Sequence, residues 1–137
     1  MPKQRSIVPL NSGDDAFRLF SELLTPSVTD VRGETVFVDI GDYVHLMQEE
    51  QRLERVSWIL ETLTNPEEIR KGHRKETPFR EVYINRVYRD EHDMEGEVFV
   101  VGVNRGFLGL DFRTAFLPRP SYLAQISKGQ LIWKATD

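Results

Sequence analysis

The residues with the most chemical potential are cations. Arg70, Lys71, Arg74, Lys75 and Arg80 crowd into one short stretch. A guanidinium's planar fork can hold two phosphate oxygens at once, and phosphoryl chemistry needs such groups where negative charge gathers on phosphorus. The same cations also suit a solvated loop closing a helix, where they offset its dipole. Position favours a site, because the cluster runs directly into a strand carrying Tyr83, Asn85 and Arg86. His45, one of three histidines, stands between Val44 and Leu46-Met47. Histidine exchanges protons near neutral pH, although a single one in apolar company also reads as a packed side chain. Arg113-Thr114 in LDFRTAF adds a guanidinium and a hydroxyl, both able to reach a phosphate. Strand alternation puts Phe112 and Thr114 on one face and Arg113 on the other, unless a bulge intervenes.

Other chemistries find less support. Asp90-Glu91-His92-Asp93-Met94-Glu95 is rich in hard-metal donors but lacks the spacing of a calcium loop. It reads as a wet hairpin connection. No phosphate loop, nucleophile elbow, zincin helix or dinucleotide fingerprint occurs. The chain has no cysteine, which removes disulfides and thiolate metal sites. No apolar run approaches the roughly 18 residues of a membrane span. The opening MPKQRSIVPLNSG has no apolar stretch of signal-peptide length, so a cytoplasmic location is the expectation.

At 137 residues the chain suits one domain. Its net charge of −4 conceals a division: residues 70–89 carry seven basic against two acidic residues, while residues 1–69 carry six against thirteen. An acidic protein of this kind is no general coater of nucleic acid, since that requires many phosphates neutralised together. A local positive patch can still grip one short stretch of backbone.

These groups must be positioned by the elements around them. Residues 1–13 read as a flexible arm, and 14–137 as a single domain. A helix capped at Ser12 or Asp14 runs to Leu24, and Thr35–Ile40 reads as a strand. Asp42 caps a short turn bearing His45. Leu53, Val56, Leu60 and Leu63 mark a long helix from Glu49 to Leu63. Asn65-Pro66-Glu67-Glu68 has the parts of a helix start, stopped by Gly72. Glu81–Tyr88, Val98–Val103 and Leu110–Phe116 read as an antiparallel meander. In its first strand, Val82 and Ile84 share one face while Tyr83 and Asn85 share the other. A helix at Ser121–Ser127 and a strand-like Gln130–Lys134 follow. The fold class is α+β, with N-terminal helices on one face of an antiparallel sheet of about four strands.

The His-bearing turn before a helix, NPEEIRKG with basic residues after it, EVYINRVY, VFVVGV and a last strand with Thr-Ala-aromatic together resemble a known group. This is the phage-associated branch of the barnase–EndoU–colicin E5/D–RelE-like nucleases, and the likeness spans about residues 35–117. The resemblance implies a barnase- or RelE-like fold and a metal-independent endoribonuclease or toxin-like RNA-binding domain, without metal or cofactor. The resemblance carries over His45, Arg70 or Arg74, and Thr114; joined to the residues read above, catalysis is expected of His45, Arg74, Arg113 and Thr114, with Arg70, Lys71, Lys75, Arg80, Tyr83 and Asn85 holding RNA or phosphate. Tyr83 would stack a base. The expected partners are RNA and an antitoxin or other restraining protein. Phe116 stands where that branch often has tyrosine, and Gln51-Arg52-Leu53 where it often has arginine-histidine-proline. These departures support the alternative, a catalytically inactive nuclease-like fold serving as a protein or nucleic-acid interaction domain.

Overall fold

A computed structural model of the chain describes residues 3–46 and 48–136. The segment read as a flexible arm instead supplies a strand, β1 (Ser6–Ile7). It is held beyond its ladder by Val8, whose N–H donates to Tyr88 O at 2.8 Å and whose carbonyl accepts from Trp58 Nε1 at 2.9 Å. Ser12 then caps a 3-10 turn by accepting from the Asp14 N–H, and α1 (Ala16–Leu24) follows. Ala16, Phe20 and Leu24 recur every four residues and are fully buried, the stripe that an amphipathic helix turns to its core.

β2 (Ser27–Thr29) and β3 (Thr35–Phe37) form a hairpin. The Asp30 carboxylate closes it by accepting the N–H groups of Arg32 and Glu34 at 2.8 and 2.9 Å, and Gly33 supplies the positive φ of 84° that the turn requires. α2 (Asp42–Leu46) is the expected short turn of helix. The single helix expected from Glu49 to Leu63 is two, α3 (Glu50–Leu53) and α4 (Val56–Thr64). The break falls at Glu54-Arg55, where buried Arg55 turns inward to reach Glu97 at 3.1 Å and lies over the Trp58 ring.

The helix expected after Asn65-Pro66 is a strand, β4 (Glu68–Lys71). Asn65 spends its amide on Glu61, at 2.8 Å, instead of capping a new helix. Ile69 is fully buried between strand neighbours on both sides, and this long-range pairing overrides the local start signal. β5 (Arg80–Tyr88), β6 (Glu97–Arg105) and β7 (Leu110–Phe116) are the expected meander. α5 (Pro120–Ile126) and β8 (Leu131–Lys134) complete the described chain.

The strand order is β2-β3-β7-β6-β5-β4-β8, with β1 against β5 beyond the reach of β4. The fold is α+β, but the sheet is mixed and larger than the four antiparallel strands expected. β3 runs parallel to β7, and β1 parallel to β5. β8 answers to the strand-like Gln130–Lys134, while the strands not expected, β1, β2 and β4, have two to four residues each, too few for alternation to declare them. One face packs Tyr83, Phe99, Val101, Val103 and Phe112 against α1 and α4. On the other, Val82, Ile84 and Val100 meet Ile126 of α5, with Tyr122 and Leu123 at the margin. No helix among the described residues is long and apolar enough to cross a membrane.

The alternation read for β5 holds, but the wet face was misassigned. Tyr83 and Asn85 are fully buried on the side of the N-terminal helices, so Tyr83 has no ring face for a base and Asn85 none for a phosphate. Tyr83 donates its hydroxyl to Asp30 at 2.5 Å and accepts from Arg32 at 3.1 Å. Arg32 also reaches Glu81 at 3.0 Å, and Arg105 joins Glu81 to Glu34 at 2.6 and 2.8 Å. Asn85 donates to Ser6 Oγ at 3.0 Å, which donates to Glu61 at 2.7 Å and so anchors β1. These polar tips serve the fold, since a buried polar group costs stability unless it is bonded.

Tyr83→Phe is therefore expected to cost about 1–3 kcal/mol in denaturant unfolding, by leaving buried Asp30 one donor short, with nucleic-acid affinity unchanged. A second expectation concerns pH. The hydrogen bond from Arg105 holds the Glu34 carboxyl below its ordinary value of 4.5. Its stabilisation is thus present above that unfolded-state value and is lost as pH falls through the lower folded one. In thermal melts, the gap between wild type and Glu34→Gln should be open at neutral pH and close as the solution is acidified below about pH 4.

Candidate active site

The register of β6 and β7 slips by one residue: Gly102 pairs with Thr114 and Val103 with Phe112, leaving Arg113 as a bulge. Phe112 and Ala115 both pack in the core under the N-terminal helices, while Phe116 packs on the opposite face. The extra residue therefore sets Arg113 and Thr114 together on the α5 side of the sheet. That removes the difficulty that alternation raised for Thr114.

Across from Thr114, a Cβ on Gly102 would stand 3.1 Å from the Thr114 methyl and 3.5 Å from the Arg80 guanidinium. The glycine leaves that space open. Arg80 is half-buried there, and its Nε donates to Asn104 Oδ1 at 2.7 Å, which aims the rest of the guanidinium. Burial holds Arg80 below its ordinary pKa; nearby Arg113 and Arg74 act in the same direction, against Tyr122. Among the described residues no carboxylate comes within ion-pair distance of Arg74, Arg80 or Arg113.

His45 is exposed on α2, in a depression that it shares with Asp42, Gln48 and Arg113. Burial raises the Asp42 carboxyl above its ordinary range; the hydrogen bond it accepts from the Asp39 N–H opposes this, the Asp39 charge adds to it, and Arg113 and His45 pull it back. The imidazole, the Asp42 carboxyl and Arg113 thus stand at one end of the cationic face. Arg74 stands at the other, lining both hollows that flank Phe116 and Tyr122. His45, Arg113, Arg80 and Arg74 are linked in sequence by the fields they exert on one another or on shared neighbours.

The remaining cations differ in use. Arg70 is tied to Glu68 at 2.9 Å and donates to the carbonyls of Ser127 and Gly129 at 3.2 and 2.8 Å, so it fastens the end of α5 to β4. Lys71 and Lys75 are exposed, on β4 and on the loop that follows it. The sequence reading passed over Asp42, taken as a cap, and also His73, Gly102 and Tyr122. Only Gly102 carried a signal, because a lone glycine within a strand pattern marks a bulge or a close approach. Among the described residues, no three His, Asp or Glu side chains gather closely enough to hold a metal ion.

The fold is an α+β domain whose mixed sheet carries a cationic face. The chain belongs to the family described as phage-Barnase-EndoU-ColicinE5/D-RelE like nuclease2, whose model matches residues 15–134. The match takes in α1, α5 and β8, which lie outside the 35–117 stretch of the sequence resemblance. No curated protein and no solved structure matches the chain.

Gly102→Ala is expected to press on the Thr114 methyl, displace its hydroxyl and fill the space beside the Arg80 guanidinium, weakening inorganic phosphate binding several-fold in a titration. Circular dichroism should show the sheet retained.

Proposed function

We propose that the chain is a metal-independent endoribonuclease that cleaves by attack of a ribose 2′-oxygen on the adjacent phosphorus. The observation that carries this reading is the half-buried Arg80 guanidinium, set beside two more arginines with no carboxylate in ion-pair distance among the described residues. A cation taken from water without a partner is costly, and three of them repel. A phosphodiester on this face supplies the missing counter-charge, and the doubly negative character of the pentacovalent phosphorus supplies more of it. That difference between ground and transition state is what accelerates the step.

In this reading His45 takes the 2′-hydroxyl proton or returns one to the leaving 5′-oxygen, and Asp42 holds the imidazole. Arg80 and Arg113 clamp the non-bridging oxygens, Thr114 donates to one of them, and Arg74 holds the next phosphate along. An enzyme of this kind needs restraint in its host, which is the place for an antitoxin or other protein partner.

A second reading, binding without cleavage, is favoured by Phe116. It brings no hydroxyl to the cleft and packs edge-on against Tyr122, with ring centroids 5.2 Å apart.

The deciding experiment incubates purified protein with RNA in excess EDTA, beside the same oligonucleotide carrying a 2′-deoxy substitution at the cleaved position. Cleavage of the first and not the second is expected. Arg80→Ala should be slowed about 10²–10³-fold, and His45→Ala about 10²–10⁴-fold. Salt-sensitive binding with no cutting by wild type would transfer the site to the second reading. Cutting unaffected by both substitutions would remove it from this face.

A further inference from the structure

Beside Arg80 lies a cavity of about 230 Å³ that the phosphate chemistry above does not use. It is lined by the apolar side chains of Val82 and Phe116, by Tyr122 and His73, and by the cations Arg74 and Arg80. The rings meet edge to face, Phe116 to Tyr122 at 5.2 Å and His73 to Tyr122 at 6.3 Å. A polar edge is present as well: His73 Nε2 lies 3.1 Å from Gln125 Oε1, and both side chains retain further hydrogen-bonding capacity.

The local backbone keeps this hollow against the cationic face. A Cβ on Gly72 would stand 2.9 Å from Arg80 Cβ, so glycine there lets the loop bearing His73 and Arg74 close over Arg80. The Gly72 N–H donates to the Arg80 carbonyl at 2.8 Å. On the opposite side, α5 brings Tyr122 near enough for Arg80 and Arg74 to oppose the upward shift that burial gives its phenol.

We propose that this cavity is a nucleobase pocket for the nucleotide whose phosphate lies on Arg80. The inference rests on the phosphate site of the preceding subsection and goes beyond it by naming α5 as the recognition element. An uncharged heteroaromatic ring suits the place on three counts. Aromatic side chains give it a face to stack on, Arg74 and Arg80 take the phosphate attached to it, and the His73–Gln125 pair meets its hydrogen-bonding edge. A second phosphate suits the place less well, because Val82 and Phe116 would desolvate part of it while Arg74 and Arg80 already hold the first. Tyr122 thereby takes the stacking role that the sequence reading gave to Tyr83.

The test is a calorimetric titration of the whole chain with inorganic phosphate and with each of the four nucleoside 3′-monophosphates. At least one nucleotide should bind about tenfold more tightly than phosphate, a modest share of what base–aromatic stacking provides. Tyr122→Ala should bring the two to parity with phosphate affinity unchanged, and Tyr122→Phe should keep the margin. Gln125 is exposed, so Gln125→Ala leaves packing intact and is expected to narrow the differences among the four bases. Parity in wild type, or a margin that neither Tyr122→Ala nor Gln125→Ala alters, would overturn the pocket. Failure of inorganic phosphate to bind wild type at all would instead overturn the site on Arg80.

Discussion

One extra residue in β7 is the constraint on which the cationic face depends. A regular strand would turn Thr114 inward with Phe112 and send Ala115 outward, since side chains alternate with a period of two. By admitting Arg113 as a bulge, the strand keeps Phe112 and Ala115 in the core and still delivers a hydroxyl and a guanidinium to the other side. The bulge leaves a residue unpaired, and Gly102 across the ladder accommodates what results by offering no side chain of its own. Core and site are thus served by one irregularity.

The distribution of carboxylates completes the arrangement. Arg32 and Arg105 are bound by Asp30, Glu34 and Glu81; Arg55 and Arg89 share Glu97; Arg70 has Glu68. These carboxylates stand where arginine has a structural task. Among the described residues, Arg74, Arg80 and Arg113 have no carboxylate within ion-pair distance. An overall charge of −4 is therefore compatible with a strongly attractive anion site. Long-range repulsion of a polyanion is screened within about a Debye length, whereas the sheltered guanidinium group acts at contact.

What the sequence disclosed followed from how far each signal reached. α1 and the three long strands were legible because their apolar residues repeat at the period of the element. β4 was not, since Asn65-Pro66-Glu67-Glu68 is a sound local helix start and only the pairing of Ile69 with two distant strands decides otherwise. The faces of β5 were inverted for a related reason. Tyr83 and Asn85 have polar tips, and nothing near them in sequence announces that Asp30, Arg32 and Ser6 come to meet those tips in the core. The basic cluster was visible as a cluster, but its members could not be ranked. Arg70 turned out to fasten a turn while Arg80 lies at the centre of the site. Tyr122 had no motif to mark it, because its significance lies in what α5 is folded against.

The tie between β4 and the end of α5 sets the gauge of the cleft. Lys71, at the end of β4, donates to the Gln130 carbonyl at 2.9 Å, and a Cβ on Gly129 would collide with the Lys71 carbonyl. Arg70 grips the same turn from the side. One wall of the cleft, the loop bearing His73 and Arg74, leaves from the end of this strand, and the other wall, α5, is seated against it. The two jaws are therefore fixed to a single jig, like the arms of a caliper locked at its pivot. A ligand entering between them finds the spacing already set and need not spend binding energy on drawing the walls together.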